Sequence, residues 1–162
     1  EMVAFLSKYG CDLILLEMMY HPERVEEVFK STKKSSIPVW AGFSARKSVS
    51  GEILSFTDSV DLPFIELIQI INDYDLEAVG IMHTSVDIIS DCISIIRKFF
   101  SGPVFVYPDS GEFVSPNWNF DNVITPKDFL YYAHKWVNEG AQIIGGCCGL
   151  SIEHIKSLSA LK

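Results

Sequence analysis

The feature that most constrains this chain is an alternation. Short apolar, β-rich runs take turns with longer amphipathic stretches along its 162 residues. The run "DLILLE" (12–17) leads into a helical pattern through "ERVEEVFKST", with Val25, Val28 and Phe29 on one face. "IPVWAGFS" (37–44) is a second strand, followed by a loop, "SARKSVSGEIL", and an apolar-rich helix over about 63–72. "EAVGIMHT" (77–84) precedes the helix "DIISDCISIIRKFF", and "GPVFVYPDSG" (102–111) precedes a long polar loop with Trp118. Thr125-Pro126-Lys127-Asp128 reads as an N-cap, a proline at the first helical position and an acid at the third, and that helix stops at Gly140. "AQIIGG" is the fifth strand, and Ser151 caps a last short helix, "IEHIKSLSAL".

Strands that are apolar without strict alternation are buried on both faces, and roughly 30 residues per unit leaves room for a crossover helix. The pattern therefore predicts an α/β fold with a parallel sheet in one domain, residues 1–162. Periodicity leaves open whether that sheet is open and doubly wound or a sector of a closed barrel. Either way, ligands sit at the carboxyl ends of the strands. Glu17, Ser44, His83, Asp109 and Cys147-Cys148 collect at that edge.

Composition narrows the function classes. The net charge is −8 and the longest basic cluster is Lys33-Lys34, which argues against nucleic acid and anionic membranes as partners. No stretch is apolar for the length a bilayer requires, and windows such as "PFIELIQII" are interrupted by Glu66 and Gln69. The first residues lack a basic region followed by an apolar core, so no secretory leader is expected. Four cysteines do not make a disulfide framework, and a reducing cytoplasm is the expected location.

Two of those cysteines are adjacent, in "GGCCG". Neighbours are poorly spaced to bridge one another. They are inert small residues in a tight turn, bridged to cysteines elsewhere, or two thiolates that could hold one Zn²⁺ with help from other residues. His83, at the end of the third strand, is placed to arrive as a third ligand, giving Cys₂His with an open position; the alternative is a loop histidine satisfied by backbone. Glu17 is either a capping or salt-bridging acid or a carboxylate aimed at a substrate amine. Asp109 reads equally as a turn residue. His21, His134 and His154 read as surface or capping residues, Cys11 and Cys92 as non-ligands, and Trp118 as a lid or as loop packing.

Taken together, "DLILLEMM", "PVWAGFS", "SGE", "AVGIMHTSVDII", "GPVFVYPDSGE", "AHKWVNEGA" and "GAQIIGGCCGLSIEHI" resemble, in order, the homocysteine S-methyltransferase family. The resemblance implies a (β/α)₈ barrel whose zinc binds the homocysteine thiolate for methylation to methionine. Position by position, Cys147 and Cys148 match two zinc ligands, and Glu17 matches the acid that binds the substrate's amino group. The "YPDSGE" run and the tryptophan loop resemble the branch that takes its methyl from S-methylmethionine or S-adenosylmethionine.

Two departures follow. The family's third ligand is a cysteine in a "GVNCT"-like strand end, and here Gly80-Ile81-Met82-His83-Thr84 puts a histidine there. The likeness also begins at the family's fourth strand, so strands 4 to 8, about five of eight units, are represented. An N-terminal segment or a second subunit is expected to complete the barrel. The alternative is a diverged, non-catalytic module that binds a small thiol, an amino acid or a protein partner.

Overall fold

The structure is a computed structural model and describes residues 2–114 and 116–161. A short helix, α1 (Met2–Lys8), precedes β1 (Ile14–Met19), α2 (Pro22–Thr32) and β2 (Val39–Phe43). A hairpin of β3 (Ala45–Lys47) and β4 (Ile53–Ser55) follows, then α3 (Phe64–Ile68), β5 (Ala78–Ser85), α4 (Ile89–Ile96) and β6 (Val104–Asp109). A second hairpin, β7 (Glu112–Val114) and β8 (Asn117–Asn119), leads to α5 (Pro126–Asn138), β9 (Ala141–Ile144) and α6 (Ile152–Ser157).

The main sheet has the order β1-β2-β5-β6-β9, and every neighbouring pair is parallel. Spatial order thus follows chain order without a reversal. Because parallel crossovers are right-handed, stepping always in one direction keeps all the crossover helices on one face. A doubly wound sheet needs a switch point where the direction reverses, and none occurs among the described residues. The question left open by periodicity is answered by strand order: this is a sector of a (β/α) barrel.

The helix-covered face holds the core. Val25 and Phe29 of α2, Phe64 and Leu67 of α3, Ile89, Ile93 and Ile96 of α4, and Phe129, Ala133 and Trp136 of α5 are all buried there. They pack with Ala41, Phe43, Val79, Ile81, Val104 and Val106 from the strands. Alternate strand residues form the other, inner face. There Trp40 stacks on Phe105 and Phe105 on Tyr107, with centroids 5.8 and 5.5 Å apart. On the edge strands of this face Leu15 and Ile143 are 38% and 37% exposed, whereas Phe105 at its centre is buried.

The caps read from sequence form as expected. Asp128 N–H donates to Thr125 Oγ1 at 3.2 Å, and Gly140 takes a φ of 101°, the left-handed value that ends a helix. Several details differ, among them α4, which ends at Ile96 rather than running on to Phe100. The helix expected over 63–72 is α-helical only to Ile68 and continues as a 3-10 turn over Gln69–Asp73. Both hairpins fall in stretches that read as loops, because three-residue strands are too short to show a period. Helix α1 buries none of its residues, so it leaves no amphipathic pattern to read. Among the described residues no helix is long and apolar enough to cross a membrane.

Gly80 tests the close packing of the inner face. A Cβ there would lie 2.2 Å from both the Phe105 ring and the Phe105 carbonyl. Gly80→Ala is expected to destabilise the protein by about 3 kcal/mol, the upper end of overpacking costs. Urea denaturation checks this, and an unchanged midpoint contradicts it.

Candidate metal centre

The centre is built where the end of β5 and the turn after β9 meet at the carboxyl edge of β6. From one side, the turn after β9 runs alongside β6 and is tied to it. Gly145 N–H donates to Val106 O at 2.8 Å, Cys147 N–H to Pro108 O at 2.9 Å, and Ser110 N–H to Cys148 O at 2.8 Å. Gly149 makes this approach sterically possible. Its φ is +79°, and a Cβ there would sit 1.6 Å from the Ser110 carbonyl oxygen.

From the other side comes His83. The register between β5 and β6 shifts between Met82 and Ser85, and His83 takes a φ of 44° within that irregularity. A left-handed non-glycine residue inside a strand is disfavoured, and a bulge of this kind re-aims a side chain out of the alternation. Here it carries the imidazole to the two cysteines.

The three donors form a nearly equilateral triangle. Cys147 Sγ lies 3.8 Å from Cys148 Sγ, and His83 Nδ1 lies 3.7 Å from Cys147 Sγ and 3.9 Å from Cys148 Sγ. For a tetrahedral ion with bonds of about 2.3 Å to sulfur and about 2.0–2.1 Å to nitrogen, the edges come to about 3.8 Å (S···S) and about 3.6 Å (S···N). The donor set and its spacing therefore fit one metal ion without a large rearrangement. Both cysteines are free thiols, far beyond disulfide bonding distance.

The surroundings are half-buried and aromatic. Phe56, from the end of the first hairpin, and Trp118, from β8, meet the His83 ring edge-on at centroid distances of 5.2 and 5.5 Å. Asp109 Oδ2 lies 3.6 Å from His83 Nδ1. Burial pushes the Asp109 carboxyl above the usual carboxylate range, while the imidazole pulls it back. Burial, joined by the neighbouring Cys148 and Asp109, pushes the Cys147 thiol up to about 11 against the pull of a Cys148 backbone hydrogen bond.

Glu17 is exposed on β1 and accepts a hydrogen bond from Tyr107 Oη at 3.1 Å. It shares a cavity of about 270 Å³ with Tyr107, Trp40, Gly145 and Gly146, beside the turn that carries the cysteines. Ser44 is buried, donates to Met18 Sδ at 3.4 Å and accepts from Phe56 N–H at 3.0 Å through its carbonyl. His21 sits at the N-terminus of α2 without a side-chain capping bond, and His134 is exposed. His154 is buried rather than at the surface, and it bears out the capping alternative, closing a capping box with Ser151 at the start of α6. Its Nδ1 accepts from Ser151 N–H at 3.0 Å, which leaves Nε2–H to donate to Ile124 O at 2.6 Å. Cys92 is buried in α4, and burial pushes its thiol far up, as suits an inert packing residue. Sequence reasoning passed over Phe56 and Tyr107. Tyr107 carries a readable signal, since it follows Phe105 by two residues on the inner face of a strand.

A model of one family, described as "Homocysteine S-methyltransferase", matches residues 1–161. The chain belongs to the homocysteine S-methyltransferase family. It is 28% identical to a selenocysteine methyltransferase of Astragalus bisulcatus, over 96% of this chain and 46% of that protein. It is 30% identical to homocysteine S-methyltransferase 2 of Arabidopsis thaliana, over 94% of this chain and 46% of the relative. The chain thus spans about half the length of the curated relatives it matches. In fold it is similar to the Escherichia coli homocysteine methyltransferase MmuM. The oxidized form superposes with a TM-score of 0.75 at 22% identity, covering 99% of this chain and 49% of that one. The metallated form gives 0.70 at 23% identity, covering 99% and 48%.

The strain at His83 has a measurable signature. In metal-free protein, His83→Gly is expected to be more stable than His83→Ala by about 1 kcal/mol, because only glycine takes a positive φ without penalty. Denaturant unfolding of the two variants checks this; a more stable alanine variant contradicts it.

Proposed function

We propose that this chain is the thiol- and metal-binding part of a zinc-dependent methyltransferase. It would move a methyl group from a sulfonium donor, S-methylmethionine or S-adenosylmethionine, to the thiol of homocysteine, giving methionine. The observation that carries the reading is the His83–Cys147–Cys148 triangle at the carboxyl edge of a barrel sector. In this reading residues 1–162 correspond to strands 4 to 8 of a homocysteine-binding barrel, and the remaining units are supplied outside this stretch.

His83, Cys147 and Cys148 hold the ion. A zinc ion bound there supplies Lewis acidity that favours the thiolate form of a substrate thiol at neutral pH. Imidazole in place of a third thiolate makes the donor set one negative charge poorer, which raises that acidity. Glu17 receives the substrate's ammonium group. Phe56 and Trp118 flank His83 and limit the water around the reacting sulfur. The cleft of about 640 Å³ that begins at Asp109 has Asp128, Tyr131 and Tyr132 on its walls. An acidic and aromatic lining of that kind favours a sulfonium cation.

The reaction balances simply. The homocysteine sulfur, having lost its proton to solvent, attacks the methyl carbon and forms a new S–C bond. The donor's S–CH₃ bond breaks, its electron pair stays on the donor sulfur, and a neutral thioether leaves.

Purified, reconstituted protein is expected to hold stoichiometric zinc, and Cys147→Ser to lose it together with methyl transfer. Metal analysis beside a methyl-transfer assay checks both, and zinc-free protein that still transfers methyl groups refutes the mechanism. Homocysteine binding without transfer from any donor supports a non-catalytic module instead. Zinc affinity is expected to rise with pH. The Cys147 thiol, held up at about 11 by burial, is protonated at neutral pH, so each metal bound must displace that proton. Chelator competition across pH 6 to 8 measures the slope, and a pH-independent affinity contradicts the assignment.

A further inference from the structure

Two strands, β2 and β5, lie between Glu17 on β1 and Tyr107 on β6. With neighbouring strands about 4.8 Å apart, these residues meet only if their side chains lie flat across the inner face. The residues beneath that path are Gly42 and Gly80, which pair directly with each other. A Cβ on Gly42 would lie 3.1 Å from Tyr107 Oη, and one on Gly80 would lie 2.2 Å from the Phe105 ring. The paired glycines thus form the floor of a shallow trough. Phe105 lies in it over Gly80, stacked between Trp40 and Tyr107. Tyr107 crosses over Gly42 and donates its hydroxyl to Glu17 Oε1 at 3.1 Å.

We propose that Tyr107 is a positioning residue. Held in the Gly42–Gly80 trough, it fixes the Glu17 carboxylate so that the thiol substrate is selected for its α-amino group. This rests on the reading of Glu17 as the ammonium acceptor. Glu17 is exposed and has three side-chain torsions, so unassisted it would lose that freedom on binding. The Tyr107 hydroxyl occupies Oε1 beforehand and leaves Oε2, which has no hydrogen-bond partner among the described residues, to face the incoming cation. The ring is itself held by the stack and by Gly145, where a Cβ would lie 3.3 Å from Tyr107 Cβ. The glycine turn that carries the cysteines and the tyrosine that orients Glu17 are therefore packed as one unit. That couples where the thiol is bound to where the amine is read.

The test compares homocysteine with 4-mercaptobutyrate, the same thiol without its amino group, by calorimetry on the zinc-loaded protein. Tyr107→Phe keeps the ring and removes only the hydroxyl. It is expected to weaken homocysteine binding roughly tenfold, with zinc content and 4-mercaptobutyrate affinity unchanged. Gly42→Ala, which crowds the phenol by a few tenths of an ångström, is expected to shift selectivity in the same direction but less. If Tyr107→Phe leaves homocysteine affinity intact while Glu17→Gln lowers it, the positioning role is wrong and the Glu17 reading stands. If Glu17→Gln also leaves it intact, the Glu17 reading fails and the proposal with it. Equal weakening of both thiols by Tyr107→Phe, or wild-type protein that binds neither, also overturns the proposal.

Discussion

The candidate site depends on one backbone arrangement, the continuation of β9 as a turn bound to the end of β6. Three hydrogen bonds, from Gly145, Cys147 and Ser110, hold that turn in line with the sheet. A cysteine pair on a mobile loop would lose much of its binding energy to ordering, a cost that backbone hydrogen bonds to β6 reduce. Gly149 permits the approach, since any side chain there would overlap the Ser110 carbonyl. The glycines around the cysteines thus act through space and backbone conformation.

Three further devices meet at the same edge. The singly wound sheet sends each crossover to one face and leaves the other for ligand, so the carboxyl ends of β1, β5, β6 and β9 open on a common side. The irregularity at His83 turns one side chain out of the strand's alternation toward the sulfurs. The two hairpins then bring aromatic residues, Phe56 and Trp118, against the imidazole. A strained backbone, a glycine turn and two short insertions are each local features, and the strand order is what brings them together.

Much of this was legible in the amino-acid sequence, for identifiable reasons. Five parallel strands were readable because each is an apolar run of ordinary length followed by a helical period. The start of α5 was readable because Thr125-Pro126 combines a capping hydroxyl with a proline that suits the first helical turn. Cys147, Cys148 and His83 were readable as a group because all three fall at strand ends, where a parallel sheet gathers its chemistry. Other features leave no local trace. The positive φ of His83 arises from a register shift between two strands, and nothing in "GIMHT" announces it. The Glu17–Tyr107 contact joins residues 90 positions apart in the chain and depends on two glycines in strands between them. The choice between an open sheet and a barrel sector lies in the strand order, which periodicity does not encode.

His83, Cys147 and Cys148 are proposed to act together as one metal site, with imidazole serving where the family pattern has a third thiolate. X-ray absorption spectroscopy at the zinc edge of the metal-loaded protein tests it most directly. Two sulfur scatterers at about 2.3 Å and one imidazole nitrogen at about 2.0–2.1 Å are expected, with the nitrogen lost in His83→Ala. A coordination shell without sulfur, or one that is unchanged when His83 is replaced, would contradict it.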